Sequence, residues 1–277
     1  MHRTFSFLSW HLLPFMALAA CSRPVTSARP EVVTPAANTA ATPPTSAAAP
    51  TPNAPDCAHP FGLYDKMELI YKLADTNGKP QGEIRNRVVM LETKTDKKSE
   101  LKINTVLLKS GFYGPDNQLI RQQDLTFHCQ RDTAFTDGMQ EMDYNNLKSF
   151  RDRYFEYTPT SLAWPHQAQA GSSLPQGGIL VDVHSSAVDI AKVYTTVRNR
   201  RVVGGPQNIT TPAGTFRCYK VESERESAIK PKPDIIRRTI TYAVDYYSPT
   251  VGIVRTEVYD KSHKLQQTQV LASRQLR

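Results

Sequence analysis

Short runs of alternating hydrophobic and polar residues, separated by turn residues, fill most of the chain beyond its first fifth. Residues 67–73 alternate and meet the turn residues 75–78, and residues 84–93 alternate again. Period-two runs rich in β-branched and aromatic residues favour strands, and an Asn-Gly turn between two of them favours a hairpin. Residues 101–113 and 118–129 continue the pattern. The sequence therefore predicts an antiparallel meander of four strands.

The pattern changes in the middle of the chain. Residues 137–153 lose the alternation and carry weak helical spacing, which predicts one short helix or an irregular crossing. Residues 154–175 are rich in Pro, Gly and aromatic residues and read as a short strand followed by a loop.

Strand signals resume after this region and continue almost to the C-terminus. The predicted strands span residues 179–184, 189–203, 217–226, 235–247, 252–259 and 265–271, with turns at 204–206 and 211–216. Ten or so antiparallel strands favour a curled or closed sheet, because closure hides unpaired edges. We therefore predict a mainly β fold, a curled half-barrel or closed barrel with one short helix or irregular crossing.

The N-terminus adds a targeting signal. A basic start and a short apolar run lead into Leu18-Ala19-Ala20-Cys21. Such a run is typical of a secretory signal, and it is shorter than the roughly 20 apolar residues of a membrane-spanning helix. The last four residues match the lipobox of bacterial lipoproteins. We predict cleavage before Cys21 and lipidation of that cysteine, with palmitate among its acyl chains; the alternative is an ordinary signal peptide cut at an Ala-x-Ala-like site.

The segment after Cys21 has the composition of a tether. Residues 22–56 contain eight Pro, nine Ala and six Thr and no aromatic residue, too little apolar bulk to offset chain entropy. Ser22, where an Asp would favour inner-membrane retention, favours the outer membrane, with the protein facing the periplasm. The predicted organisation is a signal peptide (1–20), a lipid anchor with a disordered tether (21–56), and one β domain (57–277).

Two stretches near the C-terminus carry a family pattern. Residues 210–221 read TTPAGTFRCYKV, and residues 246–257 read YYSPTVGIVRTE. They resemble the uncharacterised exported bacterial proteins of the DUF3108-like class, some of which are called the TapB family. Over residues 57–277 the order of features is also similar, although Ser248-Pro249-Thr250 replaces the more usual Gly-containing turn. The resemblance implies a fold and a location in the cell envelope, but it implies no catalysed reaction.

Three cysteines remain once Cys21 is assigned to lipid. Cys57, Cys129 and Cys218 allow three pairings, each leaving one thiol, and the predicted compartment is oxidising. One disulfide among them and three small buried side chains are both compatible with the sequence. A pair that includes Cys57 would tie the end of the tether to a strand. No Cys-x-x-Cys motif indicates a redox role.

Candidate metal ligands do not converge on a site. Four side chains supply the nitrogen and sulfur ligands that zinc favours: Cys57, His59, His128 and Cys129. Because adjacent residues on a strand point to opposite faces, His128 and Cys129 would not meet at one ion, and we predict no metal and no cofactor. Asp182 and His184 share a strand face, where an ordinary polar pair is the simpler interpretation.

Sequence motifs of catalysis are lacking. The chain contains neither Gly-x-Ser-x-Gly nor His-Glu-x-x-His, and neither a Walker loop nor a dinucleotide glycine fingerprint. We therefore expect no catalytic residue. The aromatic and proline-rich residues 154–159, together with Trp164-Pro165, are candidates for a ligand mouth; the alternative is a loop that packs over the sheet.

The charge distribution limits the classes of binding partner that we expect. The net charge is +8, but basic residues do not cluster with aromatic ones as in nucleic-acid-binding surfaces, so we expect no nucleic acid partner. Anionic lipid headgroups fit a basic envelope protein. We expect a lipid-anchored periplasmic β domain that binds a partner protein, an envelope polymer or a lipid without catalysis, a hydrophobic-ligand carrier being one form. The alternatives are an assembly factor or structural spacer, and a hydrolase acting on an envelope substrate.

Overall fold

A computed structural model describes residues 57–277 apart from residues 96, 98, 99, 187, 233 and 234. The predicted signal peptide, Cys21 and the tether lie outside the described residues. The strands are β1 (Met67–Asp75), β2 (Pro80–Thr95), β3 (Lys102–Tyr113), β4 (Leu119–Gln130), β5 (Thr133–Thr136), β6 (Tyr154–Thr160), β7 (Leu162–Pro165), β8 (Gly177–His184), β9 (Asp189–Thr211), β10 (Gly214–Lys232), β11 (Ile235–Ser248), β12 (Gly252–Tyr259) and β13 (Leu265–Leu276). Three short 3₁₀ helices span Pro60–Gly62, Gly138–Glu141 and Tyr144–Phe150. In this part of the chain, no helix has the length and apolar character to cross a membrane.

All thirteen strands form one antiparallel sheet that curls back on itself. Their order is β6-β8-β9-β10-β11-β12-β13-β1-β2-β3-β4-β5-β7. The two end strands, β6 and β7, are consecutive in the chain, with only Ser161 between them. A one-residue link forces the two edges of the sheet together, so the sheet is a nearly closed barrel. The prediction of a mainly β, curled or closed barrel is confirmed.

One predicted turn is wrong. Residues 204–206 were expected to end a strand, but β9 runs through them to Thr211, and the hairpin turn to β10 falls at residues 212–213. The register between β9 and β10 shifts on either side of Lys220, opposite Gly204. Gly205, with φ +110°, and Pro206 are thus accommodated in a bulged stretch of paired strand, where the ladder tolerates both residue types.

The crossing between β5 and β6 is built from two 3₁₀ helices, as the loss of alternation predicts. The Asp137 carboxylate accepts hydrogen bonds from the backbone N–H groups of Met139 (2.9 Å) and Thr126 (2.7 Å), so it caps the first helix and fixes it to β4. Gly138 packs so closely on the sheet that an added Cβ would lie 2.0 Å from the carbonyl oxygen of Gly178. The crossing is therefore held tightly over the barrel.

The barrel interior and the crossing enclose two apolar clusters. The larger one fills the barrel and includes Val106, Leu108, Leu125, Trp164 and Tyr247. The smaller one lies between the crossing and the sheet, where Met142 and Leu147 pack on β8 and β9.

A buried arginine closes the barrel at the β7 edge. Arg200, on β9, is 2% exposed and donates hydrogen bonds of 2.9 Å to the carbonyl oxygens of Pro175 and Ala163. Its guanidinium lies 4.6 Å from the centroid of the Trp164 ring. Trp164 donates through Nε1 to Thr136 Oγ1 (2.9 Å). These contacts join β9 across the interior to the short strands β5 and β7.

Candidate functional site

A cavity of about 110 Å³ lies inside the barrel beneath the crossing. One part of its wall is apolar, and the other is polar and charged. The apolar part includes Leu69, Tyr71, Ile84, Leu108, Phe112, Leu125 and Ile253; the polar part includes Asn86, Ser110, Arg121, Gln123, Gln140, Glu141, Arg225, Thr256 and Gln269. A pocket with an apolar body and a few convergent polar groups is the usual form of a ligand site.

The segment before β1 closes the apolar end of the cavity. Phe61 adopts a left-handed backbone (φ 55°) and is 2% exposed, with its ring edge-on to Phe127 at 5.8 Å between centroids. The side chain of Arg274 donates to the carbonyl oxygens of Phe61 and Gly62. Gly62 also has positive φ, and a Cβ there would lie 2.5 Å from the carbonyl oxygen of Thr250. Phe61 and Gly62 are therefore held by β13 and by the turn between β11 and β12.

A charged group forms the polar end of the cavity. Arg225 Nε lies 3.3 Å from Glu141 Oε2, and its Nη2 lies 3.3 Å from Asp245 Oδ2. The side chains of Glu141 and Asp245 are 6% and 3% exposed. Thr256 Oγ1 donates to Asp245 Oδ1 at 2.6 Å. Two carboxylates and one guanidinium thus share a site that is largely withdrawn from water.

The protonation of this group follows from its burial. Burial raises the pKa of the Glu141 carboxyl, which the charge of Arg225 partly opposes. For Arg225, burial acts against the charged form, but Glu141 and Asp245 outweigh it and raise the pKa of the guanidinium. Arg225 therefore stays charged, while the Glu141 carboxyl takes up a proton more readily than a glutamate in water.

Two polar side chains that line the cavity each have an atom without a hydrogen-bond partner among the described residues. Asn86, 6% exposed on β2, has a buried Oδ1 without a hydrogen-bond partner among the described residues, and Ser110, 5% exposed, faces it across the β2–β3 ladder. Among the described residues, the Nε of Arg225 also makes no hydrogen bond, since its contact with Glu141 is an ion pair of poor geometry. Unsatisfied buried groups are costly, so these atoms favour a polar guest.

A second polar arrangement lies beside the charged group. The guanidinium of Arg121 stacks 4.0 Å from the centroid of the Tyr144 ring, and Tyr144 donates its hydroxyl to Gln123 Oε1. Burial lowers the pKa of Arg121, and the neighbouring Tyr144 opposes this. Tyr144 belongs to the crossing, whereas Arg121 and Gln123 belong to β4. The crossing is thus fastened to the rim of the cavity by polar contacts.

The structure pairs two of the three domain cysteines. Cys57 and Cys129 form a disulfide with Cα atoms 5.2 Å apart, which ties the start of the domain to the end of β4. Cys218 is a buried free thiol on β10, and burial raises its pKa to about 12. His166 approaches both disulfide sulfurs. As disulfide sulfurs are not thiolates, this trio lacks the anionic ligands of a zinc site.

The other sequence candidates lie apart from the cavity. His128 stacks on Phe135 at 4.5 Å, and burial lowers its pKa. Asp182 pairs with Lys192, whereas His184 Nδ1 lies 2.8 Å from Asp189 Oδ1 on the surface. Asp182 and His184 therefore do not form the polar pair that their shared face suggested.

The aromatic run also has a different place from the one expected. Residues 154–159 form most of the edge strand β6, and Trp164-Pro165 lies in β7, where Trp164 is 1% exposed. Neither stretch lines the cavity, and neither is a loop. A separate groove of about 330 Å³ lies along β6, β8 and β9, lined by residues such as Thr158, Gly178 and Thr195. Among the described residues, neither the cavity nor this groove is lined by a His or a Cys.

Sequence reasoning missed Arg121, Glu141 and Arg225. One signal was present for Arg225. Residues 222–226 read ESERE, and a barrel strand turns alternate side chains inward, so such a run must place polar groups inside. Glu141 gave no signal, because the crossing has no regular period.

Comparisons with known proteins agree with this fold. The family model described as DUF3108-like matches residues 67–271. A candidate lipoprotein from Parabacteroides distasonis ATCC 8503 is 24% identical, with a TM-score of 0.62. A candidate exported protein from Bacteroides fragilis NCTC 9343, with a YmcC-like fold, is 19% identical, with a TM-score of 0.57. Each comparison covers 79% of this chain and 100% of the other. No curated protein matches.

Proposed function

This chain belongs to the DUF3108-like family, and from that premise we propose that it is a noncatalytic binding protein of the bacterial cell envelope. The observation that supports this proposal is the cavity inside the barrel, with its apolar wall and its unsatisfied polar end. In this proposal a ligand places an apolar group against Leu108 and Ile84 and a polar group beside Arg225. The ligand belongs to a partner protein, an envelope polymer or a lipid.

The size of the cavity limits what enters it. An apolar cavity of about 150 Å³ in another protein binds benzene. A cavity of about 110 Å³ therefore accepts a group of a few carbon atoms rather than a whole acyl chain. We infer that the guest is a short apolar moiety that carries a hydrogen-bonding group, for which Asn86 Oδ1 offers an acceptor.

The proposed location in the cell follows from the N-terminal sequence. A lipid on Cys21 would anchor the chain, and the preferred location is the outer membrane with the domain in the periplasm. The two solved structures support export, since one is described as a candidate lipoprotein and the other as a candidate exported protein. Growth with an alkyne analogue of palmitate tests the anchor: the full chain should incorporate the label, and Cys21→Ala should not.

The cavity is tested by filling it. Linear alcohols of four to eight carbons are titrated into the full chain, with binding followed by calorimetry. Ser110→Val replaces a cavity hydroxyl by a larger apolar group, so affinity should fall by about tenfold or more because the displaced volume and hydrogen-bonding site are both lost. Ser223→Val is the matched control: this serine is equally buried at 5% exposure but lies on β10 outside the cavity lining.

The outcomes separate binding in the cavity from binding elsewhere. Saturable binding that Ser110→Val removes and Ser223→Val preserves supports the proposal. Absence of binding for every chain length, or equal losses in both variants, contradicts it.

A further inference from the structure

We propose that residues 235–241 of β11, which lack a partner in β12, are a membrane-docking element that contacts anionic lipid headgroups. This inference is independent of the cavity and of the lipid on Cys21. It rests on the free edge of this strand, on the side chains that it exposes and on the charges beside them.

The β10–β11 hairpin extends beyond its neighbour on one side. The pairing of β11 with β12 begins only at Tyr242, opposite Tyr259. Residues 235–241 therefore have a strand partner in β10 alone. At about 3.3 Å per residue, these seven residues span roughly 23 Å. On its other side β10 stays paired with β9 as far as Lys230, so residues 235–241 form a free edge of the sheet.

Two adjacent apolar side chains are exposed at the start of this edge. Ile235 and Ile236 are 45% and 44% exposed. Adjacent residues on a strand point to opposite faces, so neither face is covered there. The pair has no role in the described core, because neither side chain belongs to either apolar cluster. An apolar medium outside the protein would bury both side chains.

The charges around the apolar pair are complementary to an anionic surface. Residues 229–238 contain four basic residues and one acidic residue. Arg237 and Arg238 are exposed and follow the isoleucines directly. In the part of the chain that the structure describes, no carboxylate forms an ion pair with either arginine or with Lys230. Apolar side chains flanked by unpaired cations are the chemistry of interfacial attachment to anionic lipid.

A neighbouring turn adds to the same end of the molecule. Lys192 on β9 is level with Lys230 on β10, so the β8–β9 turn and the hairpin tip lie at one end of the sheet. Val188 in that turn is 64% exposed. The acidic residue beside it, Asp189, is held by His184. The apolar surface therefore continues from the hairpin onto the next turn.

Vesicle sedimentation tests the proposal in the full chain carrying Cys21→Ser, which removes the predicted lipid. The vesicles are phosphatidylcholine alone or phosphatidylcholine with phosphatidylglycerol at low salt. The protein should prefer the anionic vesicles by roughly tenfold, a preference that high salt abolishes. Ile235→Ser with Ile236→Ser should weaken binding roughly tenfold. Arg237→Gln with Arg238→Gln should weaken it by a similar factor on the anionic vesicles only.

The matched control is a second adjacent apolar pair. Val89 and Met90 on β2 are 40% and 46% exposed, close to the values of the two isoleucines. Val89→Ser with Met90→Ser should leave vesicle binding within about twofold of the parent, since the nearby cations Lys94 and Lys109 are paired with Glu92 and Asp124. No preference for anionic vesicles, or a loss in this control as large as in the isoleucine variant, would overturn the proposal.

Discussion

Arg200 and Arg225 lie on neighbouring strands of the barrel, and both have left bulk water, but their partners differ in kind. Arg200 is bound by two backbone carbonyls and an indole ring, none of which titrates near neutral pH. Arg225 faces the carboxylates of Glu141 and Asp245, and its Nε has no hydrogen bond. The hydrogen bonds of Arg200 to backbone carbonyls stabilise the fold. The guanidinium of Arg225 lies beside the cavity with an Nε that a ligand can still bind.

Burial acts on the two guanidiniums in the same direction but with different results. Burial lowers the pKa of Arg200 to about 10, and the charges of Asp245 and Glu141 oppose this only in part. For Arg225, which contacts both carboxylates directly, their charges outweigh burial. The contrast predicts that the damage from removing Arg225 depends on pH more strongly than the damage from removing Arg200.

The largest effect is expected for Arg200→Leu. The variant leaves the carbonyls of Pro175 and Ala163 buried without a donor and removes the contact with Trp164, so the free energy of unfolding should fall by about 3–5 kcal/mol. Urea denaturation at pH 5 and at pH 8 measures it, and the loss should change less between the two pH values than the loss caused by Arg225→Leu. Arg201→Leu, at the next and exposed position, should change stability by less than about 0.5 kcal/mol. A small or strongly pH-dependent loss for Arg200→Leu would break the comparison.

Arg225→Leu should destabilise by about 2–4 kcal/mol at pH 7.5, because two buried carboxylates lose their counter-ion. Without Arg225, the folded-state pKa of Glu141 rises further above its value in the unfolded chain. Such groups stabilise the fold below the unfolded pKa, and this contribution is lost as pH rises through the folded pKa. The loss should therefore be smaller at pH 5 than at pH 7.5 in the same denaturation series. Equal losses at both values would place Arg225 in the same class as Arg200.

A smaller loss of stability is expected when a contact of Arg200 is weakened and Arg200 itself is kept. Trp164→Phe keeps an aromatic face under the guanidinium but removes the Nε1 donor to Thr136 and some buried volume, so the loss should be about 2 kcal/mol. In the double variant with Arg200→Leu, the two losses should sum to more than the measured total, because the residues are in contact. Strict additivity in this cycle would show that the stacked geometry contributes nothing.

The sequence predicted the strands of the barrel but not the charged residues inside it. Strand alternation and turn residues are local signals, so β1 to β4 and the family motif around residues 210–221 were predictable from neighbouring residues. The bulged stretch at Gly205-Pro206 was not, because the same residue types also end strands. The charged end of the cavity joins Glu141 to Arg225, 84 positions apart, and only barrel closure brings them together. A site whose residues are brought together only by the sheet topology has no recognisable residue spacing in the sequence.

The smallest effect, and the most specific, is expected for Glu141→Gln. Since the folded state raises the pKa of this carboxyl, it binds its proton more tightly than the unfolded chain does, and Glu141 contributes most to stability below the unfolded pKa. That contribution is lost as pH rises through the folded pKa. Gln has no proton to lose, so the variant should stay within about 1 kcal/mol of the parent and gain relative to it as pH rises from 4.5 to 8. Paired urea titrations across that range measure the difference, and a difference that does not change with pH would mean that Arg225 holds Glu141 ionised as firmly as water does.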